Sequence, residues 1–166
     1  MKKISLISDT HNSIHPDLYK HFETGDEIWH AGDIGSSELV ESLRKIKPLK
    51  AVYGNIDGQD VRSLCPMVEI FRCERIKVLM IHIGGYPGRY EKVVRELIPV
   101  EKPDLFISGH SHILKVMYDS KYQLLHMNPG AAGRSGLHQK ITMLQFIIDG
   151  KEIKDLDVIE IGRSRN

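Results

Sequence analysis

The sequence predicts an α/β fold with a parallel first half and an antiparallel second half. Three observations carry this expectation. Short apolar runs alternate with amphipathic stretches through the first half of the chain. The early apolar runs end in short polar tips, most of them containing glycine. Past residue 113, apolar runs follow one another with no room for helices between them. Alternating strands and helices dictate parallel pairing, and tight connections dictate hairpins.

Ile4–Ile7 reads as the first strand, ending at Ser8-Asp9-Thr10-His11. His15–Phe22 reads as a short helix, with Pro16 in its first turn and Leu18, Tyr19 and Phe22 on one face. Glu27–His30 is the second strand, closing on Ala31-Gly32-Asp33-Ile34-Gly35. Ser36 or Ser37 caps a helix that spaces Leu39, Val40, Leu43 and Ile46 along one side. Ala51–Tyr53 is the third strand, ending at Gly54-Asn55-Ile56-Asp57-Gly58. In the second half, strands are expected at Met67–Phe71 and Val78–Ile81, the latter running into His82. Pro87-Gly88 breaks the chain, and Tyr90, Val93, Val94 and Leu97 line a helix ending near Pro99. Leu105–Ser108 leads into Gly109-His110-Ser111-His112. Val116–Asp119, Gln123–Met127, Ile141–Ile148 and Glu152–Ile159 complete the strands, with Asp149-Gly150 as a hairpin turn.

The chain has 166 residues, enough to bury a sizeable core, and one domain over 1–166 is the simplest organisation. A formal net charge of +1 predicts no strong pull toward long nucleic acid or an anionic membrane. No apolar stretch approaches the roughly 20 residues that span a bilayer, and the first apolar run is too short for a secretion signal. Cys65 and Cys73 form no Cys-x-x-Cys pair, which disfavours a zinc ribbon and suits a reducing cytoplasm.

Five polar tips stand at strand ends: Asp9-x-His11, Gly32-Asp33, Gly54-Asn55, His82 and Gly109-His110-x-His112. Ligands of α/β sheets bind at the carboxyl ends of strands. Each tip alone has a plainer reading as a turn, a surface pair or a core histidine. Five together offer two carboxylates, four imidazoles and one amide oxygen. That donor mix suits manganese, iron, zinc or nickel and argues against a thiolate site. The set exceeds what one ion needs and matches two ions sharing a carboxylate. His110 and His112 project to one side if the backbone between them stays extended.

In this order the motifs resemble the calcineurin-like metallophosphoesterases, and Gly54-Asn55-Ile56-Asp57 places the chain near their small YfcE-like phosphodiesterases. The resemblance runs from Asp9 to Asn128-Pro129-Gly130. It implies a four-layer α/β/β/α sandwich of two mixed β-sheets flanked by helices. It implies two divalent ions, manganese foremost. Asp9, His11 and His112 would hold one ion, Asn55, His82 and His110 the other, and Asp33 would bridge them. Asp33, Asn55, His82 and His110 would carry the catalysis, with a metal-bridging hydroxide attacking a small phosphoester. A homo-oligomer is a further expectation of the resemblance.

Asp9 and Asp33 return two negative charges to two divalent ions, which leaves the pocket cationic and attractive to phosphate. Many relatives read Gly-Asn-His where this chain has Ile56. Loss of a general acid costs about 10²–10⁴-fold with poor leaving groups, so a phosphodiesterase is expected. Arg89 and Arg134 are candidate phosphate contacts because guanidinium grips phosphate in bidentate fashion. His138 is a candidate for the missing proton donor, His30 a support for the ligands, and Asp57 either an orienting partner for Asn55 or part of an ordinary Asx turn. The alternative function is a non-catalytic metal-binding scaffold of the same fold.

Overall fold

Alternation of side chains along the strands sets the layers. The computed structural model describes residues 1–163. One five-stranded sheet runs in the order β12 (Glu152–Gly162), β11 (Lys140–Asp149), β1 (Lys2–Ile7), β2 (Glu27–His30), β3 (Leu49–Ala51). The other runs β4 (Val68–Cys73), β5 (Ile76–Ile81), β8 (Leu105–Ile107), β10 (Leu124–Pro129), β9 (Leu114–Asp119). β1, β2 and β3 are parallel, as are β5, β8 and β10, while β11, β12, β4 and β9 pair antiparallel.

In β1, Ile4 and Leu6 face the second sheet, where they meet Val78, Met80, Leu105, Ile107 and Met127. Ile7 faces the opposite way and packs with Ile28 and Ile141 beneath Phe22 of α1 (Tyr19–Thr24) and Leu43 of α2 (Ser37–Ile46). In the second sheet the same period-2 switch turns Leu79 and Ile81 toward Val94 and Ile98 of α4 (Lys92–Glu101). The result is helix, sheet, sheet, helix, the α/β/β/α sandwich implied by the motifs. Trp29 is fully buried between the sheets, edge-on to Phe71 and Phe146. Burial of such a side chain is worth about 1.5–3 kcal/mol.

Some boundaries differ from expectation. β3 ends at Ala51, because Tyr53 turns its amide to the Pro66 carbonyl and leaves the sheet. The first helix opens as a 3₁₀ turn, Pro16–Leu18, before α1. A short α3 (Gln59–Arg62) carries no sequence signal long enough to detect. Pro87-Gly88 forms the tip of a small hairpin, β6 (Gly85–Tyr86) with β7 (Arg89–Tyr90). Tyr90 therefore sits on a strand, its hydroxyl donating to Asp119 at 2.6 Å, and not on the helix. α4 continues past Pro99 to Glu101. That proline forfeits one hydrogen bond near the end of α4, and burial of Val94 and Ile98 outweighs the loss.

Candidate metal centre

The carboxyl ends of the parallel strands bring the polar tips together. Asp9 and His11 follow β1, Asp33 follows β2 and Asn55 follows β3. His82 follows β5, while His110 and His112 follow β8. Backbone bonds knit these loops: the Asp9 and His11 amides donate to the Gly32 and Asp33 carbonyls, and the Gly109 amide donates to the His82 carbonyl. The segment from His110 to His112 is not extended. His110 (φ 71°) and His112 (φ 61°) both occupy the left-handed region, as do Asp9, His11 and Asp33. A non-glycine residue held there costs of order 1–3 kcal/mol, so the surrounding loops impose the conformation. This turn, and not strand alternation, sends the two histidines to different partners. Gly54 is required by close approach, since a Cβ there would lie 2.0 Å from Asp33 Oδ1.

Two clusters result, each of one carboxylate and two imidazoles: Asp9, His11 and His112, and Asp33, His82 and His110. Within each, the potential donor atoms lie within 4.8 Å of one another. Asp9 Oδ1 is 3.3 Å from His112 Nε2 and 3.7 Å from His82 Nε2. Asp33 Oδ2 is 3.2 Å from His82 Nε2 and 3.5 Å from His11 Nε2, so this oxygen reaches both clusters. The other oxygens are occupied. Asp9 Oδ2 accepts from the Ser8 hydroxyl and the His110 amide, and Asp33 Oδ1 accepts from the Ile56 amide. Among the described residues, three buried polar side-chain atoms lack a hydrogen-bond partner: Asp9 Oδ1, His11 Nε2 and His82 Nε2. All three aim into the clusters. Unpartnered buried polar atoms are rare and costly, and the donor set fits divalent cations.

The imidazole tautomers agree with that fit. His82 Nδ1 donates to the Ala31 carbonyl at 2.7 Å, which leaves Nε2 with its lone pair toward the carboxylates. Burial pushes the His82 pKa down, but the Asp33 and Asp9 carboxylates outweigh it and hold it above the ordinary value. Burial pushes Asp9 and Asp33 up, and the facing histidines overcome it, holding both carboxyls below their ordinary range. Beneath the site, His30 accepts from the Gly32 amide at Nδ1 and donates from Nε2 to Thr10 Oγ1. Burial lowers its pKa to about 3, so it stays neutral. It is a support for the loops.

Asn55 is exposed and shares a cavity with His82. Arg89 is exposed on β7 and Arg134 on the loop after Ala132. Among the described residues, neither arginine pairs with a cluster donor. His138 has both ring nitrogens engaged: Nε2 donates to the Gly133 carbonyl at 2.7 Å, and Nδ1 meets His112 Nδ1 at 3.2 Å. It is placed to orient His112 and not to deliver a proton. Asp57 does not orient Asn55. Its carboxylate accepts from the Ile34, Gly35 and Gly54 amides and clamps two ligand loops together. Gly54-Asn55-Ile56-Asp57 in the sequence signalled a turn without revealing this link across 22 residues or more.

Two sheets face to face bring imidazole and carboxylate donors together at their strand ends, which makes the fold a sandwich with a candidate metal-binding centre. A model of the calcineurin-like phosphoesterase superfamily domain matches residues 1–151, and the chain belongs to that superfamily, whose members bind divalent metals and hydrolyse phosphoesters. A probable metallophosphoesterase of Methanocaldococcus jannaschii is 31% identical over 95% of this chain and 82% of its own length. One of Methanothermobacter thermautotrophicus is 29% identical over 96% and 92%. Among solved structures, Vps29 of Chaetomium thermophilum covers 100% of both chains with a TM-score of 0.75 and 15% identity. An archaeal phosphodiesterase covers 95% of this chain and 99% of its own, with a TM-score of 0.71 and 21% identity. At these identities the structural likenesses speak to the fold. No helix among the described residues is long and apolar enough to cross a membrane.

Proposed function

We propose that the protein is a two-metal phosphodiesterase acting on a small phosphoester in the cytoplasm. Asp9, His11 and His112 hold one ion, Asn55, His82 and His110 the other, and Asp33 serves both. The observation that carries this reading is the trio of unpartnered buried donors, Asp9 Oδ1, His11 Nε2 and His82 Nε2, aimed into two adjoining clusters. Bound there, two divalent ions, manganese foremost, supply Lewis acidity toward phosphoryl oxygens and lower the pKa of water.

The chain's own residues set the specificity. Ser8, the His110 amide and the Ile56 amide fix the carboxylates. Ile56 can donate no proton, and the His138 ring is committed to Gly133 and His112. Leaving groups must therefore depart without a side-chain acid at those positions, which favours diesters and acidic alcohols over alkyl monoesters. Arg89 and Arg134 are proposed phosphate contacts, and Arg89→Ala and Arg134→Ala should raise KM with little change in kcat. A homo-oligomer is supported by Val116, Met117 and Tyr118, consecutive exposed residues on the edge strand β9. Light scattering reads this directly. Buried, unbonded Cys65 and Cys73 suit a reducing compartment.

The Vps29 likeness favours a second reading, a scaffold of the same fold without catalysis. The deciding assay compares the wild type with Asp33→Asn on bis(p-nitrophenyl) phosphate in Mn²⁺, beside metal analysis of both. Loss of hydrolysis in the variant supports the enzyme. Equal rates overturn it, and under about half an ion per chain after loading favours the scaffold, since the chemistry needs two.

A further inference from the structure

Three cavities border the Asp33–His82–His110 cluster; the largest, of about 780 Å³, opens beside His112 and His138, and the two smaller ones share Ile83 in their walls. One, of about 210 Å³, is lined by Tyr86, His110, Ile113 and Lys115. The other, of about 300 Å³, is lined by Tyr53, Asn55, Arg62, Met67 and His82. Each cavity therefore touches a histidine of the same cluster from a different side.

The two smaller cavities share a construction. In the first, Lys115 Nζ lies 3.6 Å from the centroid of the Tyr86 ring. In the second, the Arg62 guanidinium carbon lies 4.6 Å from the Tyr53 centroid. Among the described residues, neither cation is ion-paired: Arg62 Nε donates to the Asp57 carbonyl, and Lys115 has only the ring. Each tyrosine thus holds a cation at a cavity wall, and the first wall also carries the Glu91 carboxylate. Large apolar side chains stay in water around both: Ile83 at 39% exposure, Ile113 at 63% and Met67 at 47%. Scattered singly they would mean nothing. Gathered around cluster histidines, they form walls for organic groups.

A phosphomonoester has one organic substituent, whereas a diester has two that diverge from the phosphorus. We propose that the two smaller cavities receive the two organic groups of a phosphodiester, one on each side of Ile83, with the phosphate over the cluster between them. Pockets for drug-sized ligands occupy about 300–1,000 Å³; at about 210 and 300 Å³ the two cavities lie at or below the small end of that range, which suits ring-sized groups and not a polymer. Arg62 favours a ring that carries acceptor oxygens in the second cavity, whereas Lys115 and Glu91 together leave the first open to donors and acceptors alike. This assignment rests on reading the cluster as a phosphoesterase centre, and it narrows the substrate to compact diesters with a ring-sized group on both sides.

Calorimetric binding to the Mn²⁺-loaded full chain tests it, with diphenyl phosphate and dimethyl phosphate as probes. The expected result is diphenyl phosphate binding at least about tenfold tighter, in the range that extra apolar contacts supply. Ile113→Trp fills the first cavity and reaches the larger one beside His112, and Met67→Trp fills the second alone, both at exposed positions. Each should weaken diphenyl phosphate at least about fivefold, with under about twofold change for dimethyl phosphate. Val100→Trp, 75% exposed at the far end of α4, is the control. Equal affinity for both diesters, wild-type binding in both variants, or a loss in only one of them overturns the two-sided assignment. The expected binding pattern without turnover of bis(p-nitrophenyl) phosphate overturns the enzyme and leaves the cavities assigned. Turnover without the pattern does the reverse.

Discussion

The two donor clusters have the same composition and different surroundings. Around Asp9, the His11 and His112 rings are similarly accessible, with side-chain exposures of 21% and 19% over a carboxylate at 0%. Around Asp33, burial is graded: His82 is enclosed at 2% and fixed to the Ala31 carbonyl, whereas His110 is exposed. The support differs too. His112 leans on the ring of His138, a side chain in a surface loop, while His82 leans on backbone at the centre of the fold. One cluster is even in depth, and the other is anchored at one end and open at the other. The open end, His110, borders the first cavity, and the anchored end, His82, borders the second. An ion in the graded cluster would have one face free for substrate and exchange, and the even cluster would hold its ion as a resident.

The sharpest way to break that comparison is to remove one histidine from each. His110→Ala and His112→Ala should each abolish hydrolysis and lower Mn²⁺ content by about one ion per chain, from different clusters. Metal titration that shows the same ion missing from both variants would merge the clusters into one site. Next in size, His138→Ala should weaken the ion of the Asp9 cluster by about 10–100-fold, as loss of an orienting partner does, and leave the Asp33 cluster alone. His138→Asn should restore much of it, because an amide can accept from His112 and donate to Gly133. Equal weakening of both ions would assign His138 a merely structural role.

Acidification probes the graded cluster. The His82 pKa lies above its ordinary value of 6.5, so protons compete for Nε2 as pH falls from neutrality. Below that pKa, affinity of the Asp33 cluster should drop about tenfold per pH unit. Calorimetry across pH 6–8 measures it, and a flat profile would show that His82 is not a ligand. The smallest effect lies beneath the clusters. Burial lowers His30 to about 3 and His126 to about 4. Their unfolded values are near 6.5, so the stability they permit is complete above that pH and is lost as pH falls toward the folded values. Each should remove about 1.4 kcal/mol per pH unit. Urea denaturation at pH 6 and pH 5 reads the slope, and His126→Gln should reduce it by about half.

The fold was legible wherever side-chain period decided the outcome. Ile4–Ile7, Glu27–His30 and Val78–Ile81 alternate between the two cores as their spacing requires. It was illegible where backbone geometry decided. Nothing in Gly-His-Ser-His announces that both histidines adopt positive φ, and an extended reading would aim them together. The candidate donors stand out in the sequence because metal chemistry restricts ligands to few residue types, and the fold gathers six of them into two clusters. Their supports do not stand out, since Asp57 reaching Ile34 and His138 reaching His112 are contacts across 23 and 26 residues made by side chains ordinary in turns. α4 runs two residues beyond Pro99, because the buried face of Val94 and Ile98 carries the helix past the proline that marks its end in the sequence.

Each cluster takes donors from both sheets. Asp9 and His11 leave the first sheet to meet His112 from the second, and Asp33 meets His82 and His110 across the same seam. An ion at either place would therefore act as a removable staple between the halves of the sandwich, joining segments roughly 50–100 residues apart in the chain much as a disulfide would. Proteolytic lifetime then becomes linked to metal supply. A chain starved of its ions would open first along that seam and be degraded sooner, so the abundance of the protein would itself report the metal status of its surroundings.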